Sequence, residues 1–308
     1  MLDLSNVLTT TDVHVAGNAI RIWTDINVIG TTMLDKQVYG ERHLEAKRKL
    51  LLREPRGHRA MTGCIITEQV NPEANFGLLF MDQGGFRSFS LSGVAAAISY
   101  LHETGKMQRD TVYVDTADGL VEATIQPGNR DVKVILHTQA LVHEEKVLLP
   151  IYQNNEEANL VTIGKRNYAV LPSDILPFPL DATGMNELKQ LAAELDYNWP
   201  SHLNLEGIIV SEEGEEGDRL ITILQSQTIS RSPLEGAIAQ VAIQAKNVNI
   251  ETQSSWSPLG LSGESITVSL DHTEGESMVA SIELTPKVLS MNRFVLDPDD
   301  PLYEGFLI

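Results

Sequence analysis

Cysteine is almost absent: Cys64 is the only one in 308 residues. An intrachain disulfide, a cysteine-built metal cage and a two-thiol mechanism are all excluded, and Cys64 reads as a small buried hydrophobe. Long hydrophobic runs are missing too. No segment approaches the roughly 20 apolar residues of a membrane helix, and residues 1–5 carry neither the basic patch nor the apolar core of a signal peptide. A cytoplasmic protein with no membrane partner is the expectation. Positive charge is scarce: 23 Lys and Arg stand against 42 Asp and Glu, for a net charge of −19. Such a chain repels phosphate backbones, so no nucleic-acid partner is expected. The histidines are scattered without close ligand pairs and there is no glycine-rich phosphate loop, so the sequence offers no metal centre.

Part of the acidic charge is concentrated in Glu212-Glu213-Gly214-Glu215-Glu216-Gly217-Asp218. It reads as a solvated hairpin loop, because the ligand spacing of an EF-hand calcium loop is absent.

The first third of the chain alternates strand-like runs with turns. Val13-His14-Val15, then Gly17-Asn18, then Ala19-Ile20-Arg21-Ile22-Trp23 reads as strand, turn and strand. A charged, leucine-rich stretch over 44–52 has helical spacing and stops at Glu54-Pro55-Arg56-Gly57. Buried strands are expected at 64–67 and 77–81, and a helix of small residues at 93–102. Strands then dominate over 111–149. The order restarts at Val161-Thr162-Ile163-Gly164-Lys165-Arg166-Asn167-Tyr168-Ala169-Val170. A helix follows at 185–195, then strands at 207–210 and 220–224, then a second small-residue helix at 236–245. Two related lobes facing each other are therefore expected: residues 1–130 with 286–308, and residues 131–285. The class is α+β.

Two segments stand out. Phe80-Met81-Asp82-Gln83-Gly84-Gly85-Phe86 runs into Phe89-Ser90-Leu91-Ser92-Gly93-Val94, and Ser230-Arg231-Ser232-Pro233-Leu234-Glu235-Gly236-Ala237 opens the second small-residue helix. Together with Asp12-Val13-His14, Glu54-Pro55-Arg56-Gly57-His58 and Asp297-Pro298-Asp299-Asp300-Pro301, they resemble the proline racemase family, which includes hydroxyproline epimerases and trans-3-hydroxyproline dehydratases. The resemblance spans nearly the whole chain. It implies a diaminopimelate-epimerase-like fold: two pseudo-symmetric lobes, each a curved sheet around a central helix, with a small-molecule substrate in the cleft between them and no cofactor. A homodimer is compatible with it, although no feature of the sequence itself shows one.

The family's chemistry needs two opposed acid/bases, usually cysteines, in Met-Cys-Gly-His and Asp-Arg-Ser-Pro-Cys-Gly-Thr-Gly. Aligned without gaps, the first cysteine falls on Ser90, its glycine on Leu91 and its histidine on Ser92. The second cysteine falls on Leu234, the following glycine on Glu235, and the aspartate before Arg-Ser-Pro on Ser230. Leu234 has no proton to give, so two-base racemisation is expected to be absent. Ser90 either acts as a weakly acidic hydroxyl needing a base or merely caps a helix. Glu235 is either a carboxyl of raised pKa serving as acid or base or a helix first-turn residue.

The expected catalytic residues are Glu235, Ser90 and Ser92. The expected binding residues are Phe89, Leu91, Gly93, Val94, Ser230, Leu234, Gly236, Ala237, Asp82 and His58. For Asp82 a turn-forming role competes, for His58 one within its own loop, and Arg56 reads as a donor to nearby carbonyls. Three functions follow: a repurposed lyase, isomerase or cyclase acting on a less charged molecule, a one-base hydroxyproline dehydratase or epimerase using Ser90, and a non-catalytic binder or scaffold.

Overall fold

The computed structural model describes residues 7–128, 132–152, 154–171, 173–214, 217–225, 228–248, 255–274, 276–297 and 299–307. Residues 1–5, Glu215, Glu216 and Pro298, which figured in the sequence reading, lie outside them.

In chain order the elements are β1 (Val7–Val15), β2 (Asn18–Trp23), α1 (Met33–His43), α2 (Glu45–Leu52), β3 (Thr62–Thr67), β4 (Phe76–Met81), β5 (Phe86–Arg87), α3 (Leu91–Glu103), β6 (Thr111–Thr116), β7 (Gly119–Pro127) and β8 (Val132–Ile151). There follow β9 (Asn154–Ile163), β10 (Arg166–Val170), α4 (Met185–Tyr197), β11 (Leu205–Glu212), β12 (Arg219–Leu224), α5 (Leu234–Val248), β13 (Ser255–Trp256), β14 (Thr267–Glu274), β15 (Ser277–Leu284) and β16 (Lys287–Val295). They form two compact units, one of residues Met1–Leu136 with Thr285–Ile308, the other of His137–Leu284.

The first unit opens with a hairpin. Ala16 and Gly17 both have positive φ, at 45° and 89°, which is the geometry of the two-residue hairpin turn whose twist suits the flanking strands. Strand β2 then runs parallel to β3, and β3 pairs antiparallel with β4. That parallel step needs a crossover, supplied by α1 and α2. Thr32 starts α1 with a reciprocal capping box to Asp35. This helix is absent from the sequence reading for a physical reason: its buried residues are Met33, Lys36 and Gly40, which form no apolar stripe. Lys36 instead donates through Nζ to the Glu68 carbonyl at 2.6 Å and the Thr67 hydroxyl at 3.2 Å. The helix of small residues, α3, is buried from Leu91 to Leu101 and packs on β1, β2, β3 and β16.

The second unit repeats the scheme. Strands β9 and β10 are antiparallel, β10 and β11 parallel, β11 and β12 antiparallel. The crossover is α4, whose Leu188, Leu191, Ala192 and Leu195 join Ile208, Val210, Ile221 and Ile223 in one core. Helix α5 is wrapped by β9, β11, β12, β14 and β15. Each unit is thus a curved sheet around a central helix.

Two distant family motifs meet in the first unit. Arg56 donates to the Leu302 carbonyl at 3.0 Å and pairs with Asp300 at 2.5 Å. Glu54 and Phe306 exchange backbone hydrogen bonds, each at 3.0 Å. Buried Arg21 grips both oxygens of Asp12, at 2.7 and 2.8 Å, and also donates to the carbonyls of Leu51 and Arg56. These charged motif residues therefore tie loops to the sheet.

Candidate active site

In the first unit, the path to α3 is a tight turn. Asp82 accepts from the backbone N–H groups of Gly84 at 2.7 Å and Gly85 at 3.1 Å, and pairs with Arg87 at 2.7 Å. Both carboxylate oxygens are thereby engaged within the turn. The neighbouring Gln83, which sequence reasoning passed over, donates from Nε2 to the carbonyls of Leu52, His58 and Met61 at 2.8, 3.0 and 3.4 Å. It binds the His58 loop to the turn. A glutamine between Asp and Gly-Gly carries no local signal of that reach, because its partners lie 22–31 residues away.

Ser90 is the N-cap of α3: its Oγ accepts from the Gly93 N–H at 3.1 Å, and its carbonyl accepts the first helical bond from Val94. Phe89 stacks edge-on against Phe80 with ring centroids 5.8 Å apart. Gly93 is there because α3 lies so close to β4, with Phe80 Cδ1 only 2.7 Å from where a β-carbon would sit. Ser92 is buried in the first turn.

In the second unit, Ser230 donates to the Ser232 carbonyl at 3.2 Å. The Pro233 carbonyl accepts from Ala237 N–H at 2.8 Å, the bond that Ser90 accepts from Val94. Helix register therefore pairs Pro233 with Ser90, Leu234 with Leu91, Glu235 with Ser92 and Gly236 with Gly93, one residue away from the gap-free comparison. Gly236, like Gly93, abuts its sheet: a β-carbon there would stand 2.9 Å from Leu220 Cβ. Whether Pro233 or Leu234 is taken as the counterpart of Ser90, no titratable side chain occupies the position.

Several of the expected binding residues have buried side chains. Val94, Leu234 and Ala237 have no exposed surface, and Leu91 has 7%. They pack the helices onto their sheets and, as packed, offer no side-chain surface to a ligand. A helix enclosed by a curved sheet turns most of its circumference to the core.

Glu235 is different. The side chain is only partly buried, yet its Oε2 is fully shielded and lacks a hydrogen-bond partner. Burial pushes the carboxyl up to about 7, and nearby Glu206 pushes the same way, while its own backbone N–H and Arg166 pull it down. Neither Arg166 nor Glu206 was singled out in the sequence. They lie on β10 and β11, and only the parallel pairing of those strands brings them to α5. Cys64 sits in β3, fully buried, with its thiol pushed up to about 12 by burial. Among the described residues no cluster of three or more His, Cys, Asp or Glu is placed to hold a metal, and no helix is long and apolar enough to cross a membrane.

A paired β-β-crossover-β-β scheme closing on a central helix in each half defines the diaminopimelate-epimerase-like class. Within it, the proline racemase family pattern matches residues 10–307, and the chain belongs to that family. It is 28% identical over 334 residues to a trans-3-hydroxy-L-proline dehydratase of Bacillus cereus, covering 100% of both chains. It is 26% identical over 325 residues to a proline racemase of Acetoanaerobium sticklandii, covering 96% of this chain and 97% of that one. The crystal structure of a hydroxyproline epimerase of Agrobacterium vitis, with bound trans-4-hydroxy-L-proline, superposes with a TM-score of 0.83 at 20% identity, over 100% of this chain and 97% of that one.

Proposed function

We propose that this protein is a cofactor-independent enzyme of lyase, isomerase or cyclase type that acts on a small molecule less charged than a free imino acid, with Glu235 as its single acid/base. The observation that carries this reading is the Glu235 carboxyl, shielded, without a partner on Oε2 and raised to about 7. A group that titrates near neutrality exchanges protons in both directions most readily. The other positions in register carry a capping hydroxyl, a proline and a buried leucine, none of them a second strong acid/base.

The chemistry of one such group is limited. Glu235, ionised, takes a proton from carbon beside a carbonyl, then returns it to another atom of the same molecule or to a departing hydroxyl. The first is an isomerisation and the second a dehydration, and both balance without a cofactor. Stereoinversion by two opposed groups is not supported. The test is deuterium wash-in from D2O, followed by NMR, over a panel of imino acids and their amides and lactones. The reading expects exchange into at least one neutral member, with a rate rising through pH 7 and falling at least about 100-fold in Glu235→Gln. Exchange undiminished in that variant, or no exchange into any member, removes it.

A second reading is favoured by the full-length similarity to the Bacillus cereus dehydratase. Here Ser90 is the single base in loss of water from a 3-hydroxyproline. Product from trans-3-hydroxy-L-proline that disappears in Ser90→Ala and survives in Glu235→Gln supports it over the first.

A further inference from the structure

Strand β11 breaks the alternation that decides which of its side chains reach α5. Ile208 and Val210 enter the core built with α4. Ile209 turns the other way, its Cγ2 3.3 Å from where a β-carbon on Gly236 of α5 would sit. Successive strand residues face opposite sides, so Leu205, an odd number of positions from Ile208, should join Ile209. It lies in the α4 core instead. The pairing gives the reason: Asn167 of β10 is level with Leu205 and Tyr168 with Gly207, so Glu206 is the extra residue of a β-bulge. In a regular strand Glu206 would be directed into the α4 core with Ile208 and Val210. The bulge gives that side to Leu205 and leaves Glu206 on the side of α5. Asn167 holds the bulge in place. Its Nδ2 donates to the Leu203 carbonyl just before β11 at 3.4 Å, and its Oδ1 accepts from the Thr162 hydroxyl of β9 at 2.8 Å.

The neighbouring strand keeps strict alternation. Ala169 and Leu171 join the α4 core, which leaves Arg166 on the α5 side of β10. Two opposite charges thus border α5 from adjacent strands. Both act on the Glu235 carboxyl, Glu206 favouring its protonated form and Arg166 its ionised form. The Oε2 of Glu235 is shielded from water, where a neighbouring charge is felt more strongly than in solvent. Other charges on the elements packed against α5 are engaged elsewhere: Arg219 of β12 with Asp181 at 3.7 Å, Asp271 of β14 with His137 at 2.7 Å, and Glu157 of β9 with Lys146 at 3.2 Å. Among the described residues, neither these nor any other charge of β9, β12, β14 and β15 acts on Glu235.

We propose that Glu206 is a positioning residue for Glu235: the bulge in β11 turns its carboxylate to the α5 side, where the negative charge favours the proton on Glu235 and Arg166 opposes it. The inference rests on the reading of Glu235 as the acid/base. It supplies the means by which one carboxyl both holds and releases a proton near neutral pH.

NMR titration of the full chain with isotope-labelled glutamate carboxyl carbons tests it, the Glu235 signal being assigned by its loss in Glu235→Gln. Glu206→Gln should lower the Glu235 midpoint by on the order of 0.5 in pH, and Arg166→Gln should raise it by a similar amount. Glu157→Gln, which removes an exposed charge of the same unit, leaves the midpoint in place. Glu206→Ser takes the place of Glu206→Gln if that variant does not fold. A midpoint unmoved or raised by loss of the Glu206 charge overturns the inference. So does an equal fall in Glu157→Gln, since that marks the general charge of the chain. The readout needs no substrate, so the two readings fail separately. An unmoved midpoint beside Glu235-dependent deuterium exchange removes the positioning alone. A lowered midpoint without exchange into any compound supports the positioning and removes the catalytic reading.

Discussion

Gly93 lies against the ring of Phe80 so closely that a β-carbon on it would stand 2.7 Å from Cδ1 and 2.8 Å from Cε1. The first turn of α3, and with it the orientation of Ser90, is set by this approach. Gly93→Ala is expected to cost about 1–3 kcal/mol through overpacking, measured by urea unfolding. Phe80→Leu in the same chain should recover part of that loss. Additive losses would show that the contact does not govern the helix position.

Glu235 should make stability depend on pH. Its folded value, about 7, lies above the ordinary 4.5, so between those values the folded chain holds a proton that the unfolded chain has released. Stability from this group is complete below about 4.5 and is lost as pH rises through about 7, by up to roughly 3 kcal/mol. Glu235→Gln carries no such ionisation. Relative to its parent it should gain stability from pH 5 to pH 8, read as a difference in urea midpoint. An equal pH profile for the two proteins contradicts the burial assigned to this carboxyl.

Ser90 separates a structural role from a chemical one. Its Oγ accepts the Gly93 N–H at 3.1 Å, and loss of an N-cap typically costs about 1 kcal/mol. Ser90→Ala should be destabilised by that amount and Ser90→Asp should be close to the parent, by thermal melting. Under the Glu235 reading, Ser90→Asp keeps activity; under the dehydration reading with Ser90 as base, Ser90→Ala abolishes it.

Arg21 is buried with bidentate bonds to Asp12 at 2.7 and 2.8 Å and further bonds to two carbonyls. Arg21→Met leaves the Asp12 carboxylate and both acceptors stranded and should cost about 3–5 kcal/mol. Arg56→Met breaks a more exposed pair with Asp300 and should cost less. Chemical denaturation of the two variants compares them, and the reverse order would contradict the assigned anchoring.

Cys64 is fully buried, with its thiol pushed up to about 12. An aromatic disulfide reagent at pH 8 should modify it only as fast as the chain unfolds, because the thiolate is the reacting form. Rapid labelling of the native protein would place Cys64 somewhere other than inside β3.

The alternation in β1 and β2, the punctuation at Gly17, and the small-residue helices α3 and α5 were legible because period and turn chemistry are local properties. So was the structural part of Arg56, whose motif pointed to nearby carbonyls. Helix α1 was not legible, since its inward face is a lysine whose partners sit in another strand. The length of β8 was not either: the sequence marked 111–149 only as rich in strands, whereas residues 132–151 form one strand that pairs first with β7 and then, through a register shift between Val142 and Lys146, with β9.

The sequence by itself determined the family, the two-fold repetition of the scheme and the presence of a single cysteine, because each is carried by which residue types stand at which spacing. Tertiary structure alone decided the register that sets Glu235 level with Ser92, the burial of Leu234 and Val94, and the proximity of Arg166 and Glu206 to Glu235. Those depend on which face of a helix a curved sheet encloses, and on parallel strands joined across a long crossover. No window of sequence spans either relationship.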